Sequence, residues 1–371
     1  MTSQAPPDRF AEHVMGDPSW AQLQDPSQRP IVIAEVSANH LGSLTRAIEI
    51  IRVAKDAGAD VVKLQHYSPE TITVNSQLPE FTITGESLWS GRSLWELYGE
   101  AMMPWEWTPE LVAECHQLNL EWFSSPFDET ALDFLEKFSP SMYKIASFEV
   151  IDLPLIEKVA ALGKPMIIST GMATEVEISD AVETARSAGN DQLALLRTNS
   201  AYPASINEMD LAAIPSMAQR WGLPVGLSDH TLDHTSAIVS VGLGARVFEK
   251  HLTLRRSDGG PDSAFSLEPH EFADYVQKIK DAHSSLGEPR FGPSEKEQGS
   301  LGFRPSIRAT RNIKAGEKLS RDNAATVRPA GGLPPKEFPN VVGARVVRDV
   351  LAGEAITWNL LAGHDDVGQG S

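Results

Sequence analysis

From Ile31 onward, short runs of consecutive apolar residues alternate with longer stretches in which apolar residues recur every three or four positions. Eight such runs stand out: Ile31–Val36, Val61–Leu64, Glu121–Ser124, Met142–Ala146, Pro165–Ser169, Leu193–Leu196, Pro224–Gly226 and Ala245–Glu249. Strands covered on both faces read as unbroken apolar runs, whereas a half-buried helix shows a period near 3.6. Between the first two runs Leu44, Ile48, Ile51 and Lys55 keep the helical period, which stops at Gly58. Segments 109–118, 151–162, 175–188 and 207–221 predict helices on the same grounds. Eight strand–helix units in about 250 residues predict an α/β fold of the (β/α)8 barrel type. A doubly wound sheet is the competing architecture. It would carry a Gly-rich turn after its first strand, but Ser-Ala-Asn-His-Leu-Gly follows Val36, with no GxGxxG.

Three regions break the alternation. Residues 1–30 are polar and proline-containing, and are expected to form an N-terminal extension ahead of a barrel over 31–287. The second connection, 66–108, holds Trp89, Trp95, Trp105 and Trp107. A connection longer than about 15 residues is usually a lid, a binding loop or partly helical. Its tryptophans fit packing against a substrate or a partner subunit, or a satellite core beneath the loop. After Leu286, a polar linker over 288–303 leads into short β-like pieces with turns over 304–362, then a tail over 363–371. A module of roughly 60 residues is marginal alone.

The chain has 371 residues and a formal net charge of −18, which disfavours nucleic acid and anionic membranes as partners. Its one cysteine, Cys115, excludes an intrachain disulfide and a cysteine-rich zinc site. A reducing, cytoplasmic setting fits. The first thirty residues lack the pattern of a signal peptide, and no apolar stretch reaches about 18 residues, so no membrane span is expected.

The chemistry concentrates where the runs end. In a barrel, side chains at the C-terminal strand ends face one common site. Here the ends carry Glu35, Asn39 and His40; Lys63 and Gln65; Ser124 and Ser125; Lys144, Ser147 and Glu149; Ser169 and Thr170; Arg197, Ser200 and Tyr202; Ser228, Asp229 and His230; and Glu249, Lys250 and His251. Lys63 and Lys144 interrupt apolar strands. A cation there needs either an internal salt bridge, with Glu35 or Glu149, or an anionic ligand. The ligand explains more, because Ser125, Ser147, Ser200 and Ser228 add neutral donors on several strands. His230 and His251 end neighbouring strands and fit either a shared metal ion or ordinary core histidines, with His234 and His40 as alternates. His66, His116 and His270 look like loop or surface residues. Asp262, in Gly259-Gly260-Pro261-Asp262, fits a contact to substrate hydroxyls or a turn that caps the next helix.

Several motifs resemble the sialic acid synthases: Ala34–His40 (AEVSANH), Val62–Gln65 (VKLQ), Phe123–Asp128 (FSSPFD), Tyr143–Glu149 (YKIASFE), Ser169–Met172 (STGM), Ser228–Thr231 (SDHT) and Glu249–His251 (EKH). The resemblance covers roughly 31–362. It implies a (β/α)8 barrel followed by a small antifreeze-like (SAF) domain, and condensation of phosphoenolpyruvate with an N-acylated amino sugar. LWSGRSLWELY, PWEW, Phe148 and GGPDSAFSLEP are similar to the pseudaminic acid branch, whose acceptor is 2,4-diacetamido-2,4,6-trideoxy-β-L-altropyranose. N-acetylneuraminate or legionaminate synthesis, or a catalytically silent glycan-binding barrel, are the alternatives. Carried over by motif, Lys63, Ser125, Lys144, Ser147, Ser200 and Ser228 match the phosphoenolpyruvate binders, and His230 and His251 the Mn²⁺ or Mg²⁺ ligands. Glu35 matches the carboxylate beside the reacting carbons, with Lys63, Lys144 and His230 completing the expected catalytic set. Gln65, Glu149, Tyr202 and Asp262 match the sugar side. Arg328 matches an SAF-domain arginine that reaches the partner's barrel in a domain-swapped homodimer. Arg197-Thr198-Asn199-Ser200, Asp233, Leu252 and Arg304-Pro305-Ser306 depart from the family's usual text.

Overall fold

Eight parallel strands pair in chain order and close: β1 Ile31–Glu35, β2 Val61–His66, β3 Glu121–Pro126, β4 Tyr143–Ile145, β5 Met166–Ser169, β6 Leu193–Thr198, β7 Val225–Asp229 and β8 Val247–His251, with β8 returning to β1. This computed structural model describes residues 18–85 and 87–363. The chain falls into two units, one ending at Gly287 and the other beginning at Glu288. The first is the (β/α)8 barrel. Helices Leu44–Asp56, Thr108–Gln117, Leu153–Ala161 and Glu175–Ser187 lie where the periodicity predicts them. The expected helix over 207–221 is shorter: Ile206–Glu208 makes a single 3₁₀ turn and the α-helix begins at Ala213.

Side-chain alternation decides what faces inward. Ile31, Ile33, Val61, Phe123, Met142, Ile167, Ala194, Leu196 and Val247 form one apolar cluster inside the ring. Val32, Ala34, Val62, Leu64 and Phe248 belong to the other cluster, against the helices. Continuing the inward parity along each strand reaches Glu35, Lys63, Gln65, Ser125, Lys144, Glu249 and His251. The interior is therefore apolar at the N-terminal end and polar at the C-terminal end. Gly226 sets the spacing of β7 and β8, because a Cβ there would stand 2.0 Å from the Val247 carbonyl oxygen.

Residues 1–17 of the expected extension lie outside the described residues. Pro18–Gln24, from the same polar stretch, is a helix whose Trp20 and Leu23 join the inner cluster. The Arg246 guanidinium donates to the carbonyls of Gln22, Leu23 and Gln28 and holds that helix end. Two large apolar side chains at helical spacing thus cover the inner apolar layer.

The second unit has its own core, including Ile307, Ile313, Leu319, Phe338, Val346 and Ile356. β9 (Ser306–Ala309) and β10 (Ala324–Val327) pair antiparallel, and the rest is short bridges and turns. Among the described residues no helix is long and apolar enough to cross a membrane.

Candidate active site

The strands bring four buried charged groups together at the C-terminal mouth. Lys63 Nζ lies 2.8 Å from Glu35 Oε2 and 2.8 Å from Glu249 Oε1. Lys144 Nζ reaches Glu249 Oε2 only at 3.6 Å. Internal pairing of the lysines is therefore real, with Glu35 as expected and with Glu249 where Glu149 was the other candidate. Burial pushes the Lys63 ammonium down to about 7, against the opposing pull of Glu249, and the charge of Lys144 adds to the depression. Burial resists ionisation of Glu249, but the charges of Lys144 and Lys63 hold it well below the usual carboxylate range.

Neutral donors surround this cluster. The buried Ser125 Oγ has no hydrogen-bond partner. Ser200 Oγ donates to Ser147 Oγ at 3.0 Å, and Ser228 Oγ donates to Glu249 Oε1 at 3.1 Å. Gly171, at φ +49°, passes so close that a Cβ would stand 2.6 Å from Ser147 Cβ and 2.9 Å from Ser200 Oγ. Only glycine permits this approach of backbone to the serine pair. A cavity of about 410 Å³ beside the pair is lined by Gly171, Met172, Arg197, Asn199, Ser200 and Asp210, among others; neither lysine lines it. Arg197 does not enter the lysine cluster. Its Nε donates to the Met209 carbonyl at 3.0 Å, and its guanidinium approaches Asp210 at 3.5 Å.

His230 and His251 stand side by side, with ring centroids 5.5 Å apart. His230 Nδ1 lies 2.7 Å from the Asn199 carbonyl oxygen, which only accepts, so Nδ1 carries the proton and Nε2 keeps its lone pair. His251 Nδ1 is buried without a hydrogen-bond partner. Burial lowers His230 to about 4 and drives His251 well below the ordinary range, with His230 adding to the latter. Two neutral imidazoles with free lone pairs fit a divalent ion whose remaining ligands are substrate or water. No group of three or more His, Cys, Asp or Glu arranged to hold a metal occurs among the described residues. The alternates have other neighbours: His40 packs on Trp107 and its Nδ1 accepts from the Gly42 N–H, and His234 lies 3.3 Å from Asp274, although His40 Nε2 and His234 Nδ1 are buried without a hydrogen-bond partner. His66 is not a surface residue; it is buried, with its ring nitrogens on Ser124 and Thr108.

A second group of residues joins three loops beside the cluster. Ser37 takes a left-handed backbone, φ +45°, and there its N–H donates to Glu35 Oε1 at 2.7 Å. Its hydroxyl donates to Asp262 Oδ2, and Gln65 Nε2 donates to the same hydroxyl at 3.2 Å. Asp262 also accepts from the Ala38 N–H, so it ties the β8 loop to the β1 loop and does not cap the following turn. Burial raises the pKa of Asp262. Glu149 Oε2 is buried and without a hydrogen-bond partner, and burial pushes this carboxyl up to about 7. Tyr202 stacks at 4.4 Å on His230 and at 4.9 Å on Phe265, while Trp89 packs 5.6 Å from Tyr202. Of the long connection's other tryptophans, Trp105 packs on Phe134 and Trp107 on His40, as a satellite core would. Arg328 is exposed in the second unit, directly after β10.

Three participants escape a reading by motif position. Glu249 is masked by two other polar residues in Glu249-Lys250-His251, although inward parity selects it with His251. Ser37 depends on a backbone conformation that a non-glycine residue does not advertise. Phe265 lies beyond the strand ends, in the GGPDSAFSLEP segment.

Residues 50–290 match the NeuB family model and residues 304–362 match the SAF domain model. The pseudaminic acid synthase of Campylobacter jejuni is 40% identical over 329 residues, covering 89% of this chain and 96% of that protein. The N,N'-diacetyllegionaminic acid synthase of Legionella pneumophila is 34% identical, covering 88% and 93%. Among solved structures, the Bacillus subtilis spore coat polysaccharide biosynthesis protein spsE superposes with a TM-score of 0.61 at 31% identity, covering 90% of this chain and 95% of that one.

Proposed function

The chain belongs to the NeuB family of phosphoenolpyruvate-dependent condensing enzymes, and on that premise we propose that it is specific for 2,4-diacetamido-2,4,6-trideoxy-β-L-altropyranose, producing pseudaminic acid and phosphate. The observation that carries the choice of product is the near full-length likeness to a pseudaminic acid synthase. The legionaminate reading stands second, on a weaker likeness of the same extent. A silent glycan-binding barrel has no use for a desolvated Glu35–Lys63–Glu249–Lys144 cluster.

In the proposed reaction Lys63, Lys144, Ser125 and the Ser147–Ser200 pair bind the phosphate and carboxylate of phosphoenolpyruvate, and Lys63 and Lys144 offset their charge. His230 and His251 would hold a divalent ion, Mn²⁺ or Mg²⁺, whose chemistry is Lewis-acid polarisation of the acceptor's aldehyde. C3 of phosphoenolpyruvate bonds to the aldehyde carbon as its C=O π bond opens, the oxygen takes up a proton from solvent that the proton later removed from water replaces, and positive charge develops at C2. Glu35, held by Lys63 and the Ser37 N–H, stabilises that centre and takes the proton of the water that adds to C2. The C2–O bond then breaks and phosphate leaves. Gln65, Glu149, Tyr202 and Asp262 serve the sugar side. Arg328 completes the site of a partner subunit in a domain-swapped homodimer, and the protein works in the cytoplasm.

Phosphate release with phosphoenolpyruvate and each candidate hexose, supplied separately, tests the assignment. The diacetamido-trideoxy sugar should give the highest kcat/KM, a chelator should stop release, and Mn²⁺ should restore it. Faster release with a legionaminate or neuraminate precursor would move the assignment to that product.

A further inference from the structure

Trp89 is carried by a short antiparallel turn in the long connection after β2. Thr82 pairs with Ser93, Ile83 N–H donates to the Arg92 carbonyl at 2.9 Å, and Gly91 N–H donates back to the Ile83 carbonyl at 2.8 Å. The base of this turn is anchored. Ser93 caps the helix Leu94–Ala101 in a capping box with Glu96, and Arg92 bonds Glu100 at 2.6 Å. The tip reaches from the β2 side to the β8 loop, where the indole N–H donates to the Pro261 carbonyl at 2.9 Å. That loop is itself fastened to the β1 loop through Asp262 and Ser37.

The indole closes an aromatic wall. Its ring lies 5.6 Å from Tyr202 and 6.4 Å from Phe265, and those two rings lie 4.4 Å from His230 and 4.9 Å from His251 respectively. Trp89 therefore stands one ring farther from the histidines than Tyr202. With the acceptor's aldehyde at the histidines, the far end of a six-carbon open chain lying along this wall falls at the indole. A ring face accepts a methyl group well and leaves a hydroxyl without a partner.

We propose that Trp89 is a specificity-determining residue, its indole packing on the methyl end of a 6-deoxy acceptor sugar while the latch to Pro261 holds it over the mouth. This rests on the acceptor assignment above. Discrimination by one such apolar contact is on the order of ten-fold or more in kcat/KM.

The experiment compares wild type, W89F and W89A with two acceptors, the 2,4-diacetamido-2,4,6-trideoxy sugar and its counterpart bearing a hydroxyl at C6. KM for phosphoenolpyruvate and the thermal unfolding midpoint are measured in parallel. Wild type should prefer the deoxy sugar. W89A should lose about ten-fold on that sugar alone, collapsing the preference, with KM for phosphoenolpyruvate within about two-fold of wild type. W89F keeps a ring without the N–H, and should retain most of the preference. It also stands in for W89A should the smaller side chain unfold the turn, a loss of preference in W89F then counting against the ring's role. A wild type that ignores the deoxy sugar overturns the acceptor assignment and this inference with it. A wild type that prefers it, beside a W89A with the same preference, overturns this inference alone. So does a W89A whose losses fall equally on both sugars and on phosphoenolpyruvate.

Discussion

Glu249 and Lys250 are neighbours on β8, yet they serve two different electrostatic regions on the two faces of one strand. Outside the ring, Lys250 lies 3.2 Å from Asp229, donates to the Thr231 carbonyl, and sits 5.5 Å from the centre of the Tyr275 ring. One cation meets one carboxylate and is covered by an aromatic from the helix Pro269–Leu286. Inside the ring, two ammonium groups meet two carboxylates, Lys63 held between Glu35 and Glu249 and Lys144 reaching Glu249 only at 3.6 Å, and the Ser125 hydroxyl is left without a partner. The chemical types are the same in both places. What separates them is the loose 3.6 Å contact of Lys144 beside an unpartnered serine hydroxyl at the strand ends, against a 3.2 Å pair covered by a helix. A buried lysine alone is therefore a poor functional signal, because Lys250 is as buried as Lys63 and Lys144 and yet pairs with Asp229 on the neighbouring strand.

The largest effect should come from Glu35→Gln. It keeps the size of the side chain and removes its charge, so turnover should fall by about 10²–10⁴-fold while phosphoenolpyruvate still binds. Steady-state kinetics with a binding titration checks this, and normal turnover would remove Glu35 from the chemistry. Next come two lysine substitutions that set the regions against each other. Lys250→Met leaves Asp229 buried and unpaired, at a cost of about 3–5 kcal/mol in stability, with affinity for phosphoenolpyruvate in the folded protein unchanged. Lys144→Met should instead lose that affinity. Denaturant unfolding beside a ligand titration separates them, and equal loss of affinity in both variants would erase the distinction drawn here.

The smallest effect is a pH dependence. Lys63, pushed down to about 7 by burial, is increasingly deprotonated in the free protein above that pH. A bound anion favours its charged form, so binding takes up a proton there, and affinity falls as pH rises, by up to about ten-fold per unit. The second ionisation of a phosphate ester lies near 6, so the ligand's own charge is already constant in this window. Calorimetric titration between pH 7 and 9 checks the sign; affinity that holds steady or rises would contradict it.

Much of this was legible in the sequence. Unbroken apolar runs gave the barrel because its strands are covered on both faces. The polar residues that end those runs gave Glu35, Lys63, Lys144, Ser147, Ser200, Ser228, His230 and His251, which the ring brings to one mouth. What stayed hidden depends on geometry that a linear pattern does not carry. The hydroxyl of Ser37 reaches Asp262 only through a left-handed backbone. Glu249 was readable by strand parity, which selects it with His251, but its contact with both Lys63 and Lys144 comes from the closure of the ring. Trp89 lies far along the chain from Pro261 and meets it through a turn whose reach no periodicity encodes. The helix Pro18–Gln24 was lost in a polar stretch because only Trp20 and Leu23 mark its buried side.

The central claim is that the inner lysines hold the substrate anion while Lys250 keeps its protein partner. Crystals of the Glu35→Gln protein grown with phosphoenolpyruvate test it most directly. The account predicts phosphate and carboxylate oxygens within hydrogen-bond distance of Lys63 and Lys144, with Ser125 engaged and the Lys250–Asp229 pair unchanged. An anion bound elsewhere, with both inner lysines still closed on Glu249, would contradict it.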